Sequence, residues 1–324
     1  MSTSTTSPPP SPTWPIRKYT PRHPSWPYTA QDFSRHDPTA DSSFYASPRF
    51  VTHIDDAAIA SLREYYAHVL PPFSEHEMTP PQQGNDPPKK MKMKRILDLC
   101  SSWTSHFPPH VLDAVKDGRL EVWGLGMNRA ELERNPVFSA NDGGKAKWGV
   151  WDLNREGKGD VGVALGETLL QQEKGSGKQE EEEEEVANLP PLLDATTCAV
   201  STDYLVQPLT VFASLLHLTK PGGSVHLTVS NRCFPTKAIS RWLQVDEAER
   251  LQMVGDYLFF AGWKEIEIVE LSDGRVRGPG EDGDGGSEGQ GTGADVGGLG
   301  AFMRALGMDA ARRDPLWVVR GVKE

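Results

Sequence analysis

Short apolar runs alternate with amphipathic stretches along most of this chain. Residues 95–99 form an apolar run that leads into a polar segment, as expected for a buried strand. Further strands are predicted at 120–125, 148–152, 194–200, 224–230, 263–270 and 316–320, and helices at 129–134, 207–219, 236–242 and 246–261. Because strands and helices alternate, we predict an α/β fold with a largely parallel sheet and helices on both faces.

An amphipathic helix is predicted before the first of these strands. Its apolar stripe consists of Ile59, Leu62, Tyr66 and Val69. Asp55 or Asp56 is a suitable N-cap, and the proline pair at 71–72 is expected to end the helix. We therefore expect ordered structure to begin near residue 44.

Three stretches lack this periodicity. Residues 1–43 are rich in Pro, Ser and Thr, which predicts a disordered tail. Residues 156–188 contain six consecutive glutamates and residues 272–298 are rich in glycine and acids, so both are predicted to be low-complexity insertions. For the glutamate run, a solvated loop is favoured over a binding site for a basic partner. The rest of 44–324 is expected to form a single domain.

The charge balance adds constraints on partners. The formal net charge is -11, but most of the acidic excess lies in the two predicted insertions, so the folded part is nearly neutral and nucleic acid is not an expected partner. No apolar run reaches the about 20 residues that a membrane helix needs. We expect no membrane association and a cytoplasmic location. Import into an organelle is the alternative, because the N-terminal tail has no acidic residue before Asp32.

The three cysteines, Cys100, Cys198 and Cys233, do not have zinc-site spacing. Ordinary packing is favoured over thiol chemistry, and no metal is expected. The sequence leaves the oligomeric state open.

Polar residues follow the carboxyl ends of the predicted strands. They lie at 98 and 100–102, 126–128, 152–154, 201–204 and 231–234. In an open parallel sheet, ligands bind beyond the carboxyl ends of the strands, near the point where the strand order reverses. These residues therefore predict one ligand site at this edge of the sheet.

Four features of the sequence follow the pattern of a known family: the segments 96–102, 193–198 and 220–223 (Lys-Pro-Gly-Gly) and the closing hairpin of 263–270 with 316–320. On these features the chain resembles class I S-adenosylmethionine-dependent methyltransferases of the type 11 kind. The strings DLCSSW, GLGMN, DLN and SNRCFPTKA resemble a narrower branch with shared departures from the family pattern. The resemblance implies a Rossmann-like, seven-stranded, mostly parallel sheet with a C-terminal antiparallel hairpin, and S-adenosyl-L-methionine as the cofactor.

The resemblance also implies roles for residues at the cofactor. Asp98 stands where the family has the acid that helps to hold the amino-acid end. Cys100, Ser102 and Thr104 stand at positions where the family has glycines, which allow close backbone approach. Ser101 and Ser102 offer hydroxyl groups instead.

The next two strands carry the remaining implied cofactor residues. Gly126 stands where the family has the ribose-binding acid, and after Met127 only the neutral amide of Asn128 is offered. Asp152 matches the acid that receives the adenine amino group, and Leu153 supplies the next backbone amide. The implied cofactor-binding set is Asp98, Cys100, Ser101, Ser102, Gly126, Met127, Asn128, Asp152 and Leu153.

Methyl transfer from a sulfonium is an in-line displacement in which positioning supplies much of the rate. Asp203 and Tyr204 are candidates for orienting or deprotonating the acceptor, and capping and packing are their alternative roles. Arg232 and Lys237 are candidates for binding an acidic acceptor group, with structural ion pairing as the alternative. Tyr45 and His53 are predicted to belong to a lid over the acceptor; for His53, a role at the start of the helix is favoured over that of a base.

The main hypothesis is a methyltransferase acting on a small molecule or a side chain. The alternative is a noncatalytic ligand-sensing or protein-interaction module that keeps the fold. A nicotinamide dehydrogenase is disfavoured, because no GxGxxG motif follows the first strand and the second strand does not end in an acid.

Overall fold

Eight strands form one mixed sheet in the computed structural model, which describes residues 14–71, 93–139, 146–170, 189–275 and 313–324. The strands are β1 (Ile16–Lys18), β2 (Lys94–Ser101), β3 (Leu120–Gly126), β4 (Ala146–Val150), β5 (Leu193–Ala199), β6 (Thr219–Ser230), β7 (Lys264–Ser272) and β8 (Leu316–Val322). Their order across the sheet is β1-β7-β8-β6-β5-β2-β3-β4. The predicted α/β class and C-terminal antiparallel hairpin are confirmed, with eight strands in place of the predicted seven.

The sheet has one point at which the strand order reverses. Strands β2 to β6 pair in parallel, and the chain runs outward from β2 through β3 to β4 before it returns to β5 on the other side of β2. Strands β7 and β8 are antiparallel additions beyond β6. The carboxyl ends of β2 and β5 therefore flank the switch point of a Rossmann-like sheet, where ligands bind.

Helices cover both faces of this sheet. They are α1 (Asp41–Phe44), α2 (Asp56–Val69), α3 (Pro109–Lys116), α4 (Arg129–Arg134), α5 (Pro136–Ser139), α6 (Val161–Leu165), α7 (Pro208–Leu218), α8 (Ser240–Gln244) and α9 (Glu247–Ala261). The adjacent strand residues Ile96 and Leu97 are both buried and belong to different cores, one packed under α2 and the other under α7 and α9. This two-sided burial explains why the central strands have continuous apolar sequences.

Helix α2 agrees closely with its prediction. Asp55 is its N-cap and accepts a hydrogen bond from the backbone amide of Ala58 at 2.8 Å, and the helix ends before the proline pair. The predicted helix at 236–242 is shorter and later, because 235–237 form a turn and α8 begins only at Ser240.

The prediction of a disordered tail at 1–43 is wrong for residues 14–43; residues 1–13 lie outside the described part. Strand β1 pairs with β7, and the hydroxyl groups of Tyr19 and Tyr28 each donate to a carboxylate oxygen of Asp256 on α9 at 2.5 Å. Trp26 and Phe33 stack at 6.0 Å and pack against the same core. The prolines prevent a helix here but allow an extended segment, whose aromatic side chains bury the surface needed for order.

The predicted insertions are also shorter than expected. Residues 156–170 are described and contain α6, with its N-cap Asp160, followed by a π-helical turn at Gly166–Leu170. Strand β7 continues to Ser272, and 273–275 follow it. The remaining positions of both insertions, including the glutamate run, lie outside the described residues.

Candidate functional site

A cavity of about 350 Å³ lies at the carboxyl ends of the parallel strands, across the switch point. Its floor is built from the residues that follow β2, β3, β4, β5 and β6, and its roof from the chain between α1 and α2. Its volume is within the range of small-molecule sites, about 300–1,000 Å³. The position agrees with the site predicted from the polar residues after each strand.

Asp98 is a buried anchor for the loop that follows β2. Its side chain is only 3% exposed. Ser101 and Ser105 both donate their hydroxyl groups to its Oδ2, at 2.6 and 2.7 Å, and Thr197 of β5 donates to Oδ1 at 3.0 Å. Burial raises the pKa of Asp98, while the three hydroxyl donors act in the opposite direction by stabilising the charged form. Asp98 lines the cavity, and its hydrogen bonds hold together the loop and the switch point.

Two non-glycine residues at the switch point have left-handed backbone conformations. Cys100, at the irregularity near the end of β2, has φ 55°, and Val200, after β5, has φ 43°. This region favours glycine, and a β-branched residue is rarely found in it. Both residues line the cavity. The loop thus adopts the backbone shape that glycine would give, at a cost in strain, as is frequent at functional sites.

Gly126 is required by a close approach of two backbones. A β-carbon on Gly126 would lie 2.1 Å from the carbonyl oxygen of Ser101 and 3.0 Å from the side chain of Leu132. The last residue of β3 therefore has no room for any side chain. The acid that the family places here is excluded by the packing of β2 against β3.

Glu131 supplies a carboxylate nearby that the sequence analysis missed. It lies in the first turn of α4, is 8% exposed and lines the cavity. Its Oε2 accepts from the Ser102 hydroxyl at 2.8 Å, and its Oε1 accepts from the Arg49 backbone amide at 2.7 Å. An acid one turn into the helix after β3 was a usable indication in the sequence, since helix starts after parallel strands lie at this edge.

Asn128 does not line the cavity and instead caps α4. Its amide oxygen accepts from the Glu131 backbone amide at 3.2 Å, and its amide nitrogen donates to the Tyr45 carbonyl at 2.8 Å. The predicted contact with a ribose is therefore not supported by its position. Both ends of the side chain are used to join the roof to the start of α4.

The predicted residues after β4 lie at the cavity. Asp152 and Leu153 both line it, as does Met127 after β3. One carboxylate oxygen of Asp152 accepts from the Asn154 backbone amide at 2.9 Å, and burial raises the pKa of Asp152. The Asn154 amide in turn donates to Asp41 and to the Tyr204 carbonyl, at 2.7 and 2.8 Å. Asp152 is thus an acceptor in a rigid turn.

The two predicted catalytic residues have different positions. Tyr204 lines the cavity, and its hydroxyl oxygen accepts from the Phe234 backbone amide at 2.8 Å. Asp203 is not among the lining residues; it is buried, and its Oδ2 has no hydrogen-bond partner among the described residues. Burial raises the pKa of Asp203 to about 8, and burial also raises the pKa of Tyr204 well above its usual value. A direct contact of Asp203 with an acceptor is not supported by this placement.

Three of the four predicted acceptor-binding residues line the cavity, namely Tyr45, His53 and Arg232. Lys237 does not: its side chain is 0% exposed, donates to the Thr39 carbonyl at 2.6 Å and pairs with Asp37 and Asp41. Lys237 therefore has the alternative role, structural ion pairing. Its partners come from the N-terminal segment that was predicted to be disordered. Burial lowers the pKa of His53, whose ring stands edge-on to Phe234 at 5.3 Å.

Arg49 and His106 also line the cavity and were not predicted, whereas Phe234 lies within the predicted stretch 231–234. Arg49 lies in the roof between Tyr45 and His53, and its guanidinium carbon is 4.3 Å from the Phe44 ring centroid. Burial lowers the pKa of His106 to about 4, and its Nδ1 has no partner among the described residues. The predicted lid consisted of Tyr45 and His53, which flank Arg49. Which side chains of this stretch face the cavity depends on tertiary contacts.

Within the described residues, no helix is both long and apolar enough to cross a membrane. The same residues contain no cluster of three or more His, Cys, Asp or Glu side chains suited to holding a metal ion.

No protein-family model and no curated protein sequence matches this chain. Solved structures do match. Phosphoethanolamine N-methyltransferase 2 of Haemonchus contortus, in complex with S-adenosyl-L-methionine, has 12% identity and a TM-score of 0.39, over 72% of this chain and 49% of that one. A SAM-dependent methyltransferase from Archaeoglobus fulgidus has 12% identity and a TM-score of 0.38, over 71% of this chain and 86% of that one.

An S-adenosylmethionine-dependent methyltransferase from Mesorhizobium loti has 11% identity and a TM-score of 0.34, over 70% of this chain and 90% of that one. The chain spans about half the length of the Haemonchus enzyme. TM-scores this low do not establish the fold class of this chain. The fold class follows instead from the order of its own strands.

Proposed function

We propose that this protein is an S-adenosylmethionine-dependent methyltransferase acting on a small molecule or a side chain. The observation that carries the proposal is the cavity at the switch point, which is lined by every implied cofactor residue except Asn128. The sequence resemblance supplies the cofactor.

The hydrogen-bond acceptors that line the cavity fit such a cofactor. Asp152 offers an acceptor for an adenine amino group, and the backbone after it is held by Asn154. Glu131 replaces the acid that Gly126 cannot carry, and it offers the remaining lone pairs of its carboxylate to ribose hydroxyl groups. Asp98 holds the loop of Ser101 and Ser102 in place.

When bound, the cofactor supplies an electrophilic methyl group. The chain must then orient the acceptor in line and exclude water. The side-chain rings of Tyr45 and His53 in the roof and of Tyr204 and Phe234 in the floor line the part of the cavity proposed for the acceptor. A neutral His53, favoured by the lowered pKa, is suited to accept a proton from an acceptor that needs deprotonation.

Calorimetric titration with S-adenosylhomocysteine and S-adenosylmethionine tests the proposal. We expect binding by the full chain, and we expect Asp152→Asn to weaken it by about tenfold, through loss of the charge-assisted bond. Asp113→Asn, at an exposed position on α3, is the matched control and should leave binding unchanged. Absence of binding at millimolar cofactor contradicts the proposal.

A noncatalytic ligand-sensing or interaction module is the second candidate. It is favoured by the saturated hydrogen bonding of Asp98 and by the absence of an acid at Gly126, which leave fewer charged groups for the cofactor than the family pattern provides. Incubation of a cell extract with methyl-labelled cofactor separates the two candidates. A methyltransferase transfers label to an acceptor, whereas a sensor binds the cofactor and transfers none.

A further inference from the structure

The guanidinium of Arg49 is a buried group of the roof whose hydrogen bonding is incomplete among the described residues. Its Nη2 donates to the Phe44 carbonyl at 3.0 Å. Its Nη1 is buried and has no hydrogen-bond partner among the described residues, and none of the ion pairs formed between those residues includes Arg49. A buried cationic donor without an acceptor is unfavourable by about 1–3 kcal/mol or more, so its retention needs an explanation.

Aromatic rings fix the position of this charge. The guanidinium carbon lies 4.3 Å from the ring centroid of Phe44, 5.3 Å from that of Phe234 and 5.5 Å from that of Tyr45. Cation–π contacts of this kind stabilise the cation but provide no hydrogen-bond acceptor. The rings therefore hold the guanidinium in the roof of the cavity and leave its Nη1 free to donate a hydrogen bond.

A second positive group lies nearby on the chain after β6. Arg232 lines the same cavity next to Phe234, and its Nε donates to Asp314 at 2.7 Å, which fixes the base of the guanidinium. Asp41, eight residues before Arg49, is already paired with Arg35 and Lys237. The Glu131 carboxylate accepts from the Arg49 backbone amide, not from its guanidinium. The Nη1 donor of Arg49 therefore has no acidic partner among the described residues and is suited to a negatively charged oxygen.

We propose that Arg49, assisted by Arg232, binds an anionic oxygen of the molecule that occupies this cavity. The shared chemistry is a carboxylate or phosphate that accepts hydrogen bonds from the guanidinium. This anion has two possible sources, and naming them rests on the proposed function. They are the carboxylate of the cofactor's amino-acid end and an acidic group on the methyl acceptor. Either source completes the hydrogen bonding of Nη1.

Titration with benzoate tests the anion site without any cofactor. Benzoate combines a carboxylate with a ring that suits the aromatic wall. We expect the full chain to bind it, Arg49→Met to weaken binding at least tenfold, and Arg49→Lys to retain part of the affinity because it keeps the charge without the planar fork. Arg129→Met, at an exposed position on α4, is the matched control and should bind as the unchanged protein does.

Two adenosine ligands then identify the source. S-adenosylhomocysteine carries the amino-acid carboxylate, and 5′-methylthioadenosine lacks it. If Arg49 binds the cofactor, Arg49→Met weakens S-adenosylhomocysteine binding at least tenfold and leaves methylthioadenosine binding unchanged. If Arg49 binds the acceptor, neither changes, and benzoate still binds to protein saturated with S-adenosylhomocysteine.

The proposal is overturned if neither benzoate nor S-adenosylhomocysteine binding depends on Arg49 while thermal unfolding shows that the variant is folded. Failure of the proposed function is recognised separately. In that case benzoate binding depends on Arg49, but no adenosine ligand binds at any concentration tested.

Discussion

The Cα of Gly126 faces the carbonyl oxygen of Ser101 so closely that a β-carbon on it would lie 2.1 Å from that oxygen. The two residues are the last paired positions of β2 and β3, immediately after the register shift that follows Leu99. This contact determines the path of the loop across the cavity floor. It also explains why the carboxylate on this side comes from Glu131, five residues later.

Gly126→Ala is expected to reduce the free energy of unfolding by about 2 kcal/mol, because overpacking against a backbone atom cannot be relieved by a rotamer change. Urea denaturation measures the loss. Gly157→Ala is the control: its β-carbon would meet nothing within 4 Å, so only its left-handed backbone, φ 71°, adds a cost, of about 1 kcal/mol. Equal losses at the two sites would refute the steric argument.

Cys100 should reverse the usual order of glycine and alanine. At an ordinary strand position such as Ala199, glycine is less stable than alanine by about 0.5–1 kcal/mol. At φ 55° we expect Cys100→Gly to be more stable than Cys100→Ala by about 1 kcal/mol, because both lose the thiol and only alanine keeps the strain. Chemical denaturation of the two variants, with Ala199→Gly for comparison, provides the measurement. If alanine is the more stable residue at position 100, the left-handed conformation there is wrong.

Tyr28→Phe should loosen the N-terminal segment from α9. The change removes a donor to Asp256, which leaves a buried carboxylate with fewer partners at a cost of about 1–3 kcal/mol. Amide hydrogen exchange over 19–37 should accelerate as well. Tyr257→Phe is a close control, because the Tyr257 hydroxyl is buried and without a partner among the described residues. Its removal should be neutral or stabilising, and a loss as large as that of Tyr28→Phe would contradict the assignment.

Asp203 should make stability depend on pH. Burial raises its pKa in the folded chain to about 8, from 3.8, so between these values the folded protein keeps a proton that the unfolded chain has released. Stability therefore falls as the pH rises through this window. Asp203→Asn removes the effect, and its stability relative to the unchanged protein should increase by up to about 1 kcal/mol per pH unit between pH 5 and pH 8. Thermal unfolding at several pH values measures this difference, and a difference independent of pH would contradict it.

Local sequence was sufficient for much of the fold. The apolar run at Ile96 and Leu97 predicted a strand buried on both faces, and Asp55 was correctly considered as a cap, since both depend on neighbouring residues only. The edge of the sheet that carries the cavity also followed from the alternation of strands and helices. These features need no knowledge of which distant segments meet.

The remaining parts of the site depend on long-range contacts. Lys237 was expected to bind an acceptor, but Asp37 and Asp41 neutralise it, and they belong to a segment whose prolines suggested disorder. The inward direction of Arg49 is set by rings on α1 and after β6. The sequence shows that these charged residues are present but not which distant residues they contact. Their roles could therefore be assigned only from the structure.

The pairing of β1 with β7 has a practical consequence for producing the protein. A chain started at residue 44, the boundary that composition suggests, would leave β7 as a bare sheet edge. It would also remove both tyrosine donors of Asp256 and the acidic partners of Lys237. Exposed strand edges promote aggregation. Insolubility of such a shortened protein would thus reflect its missing outer strand and unsatisfied charges, and would carry no information about whether the cavity is functional.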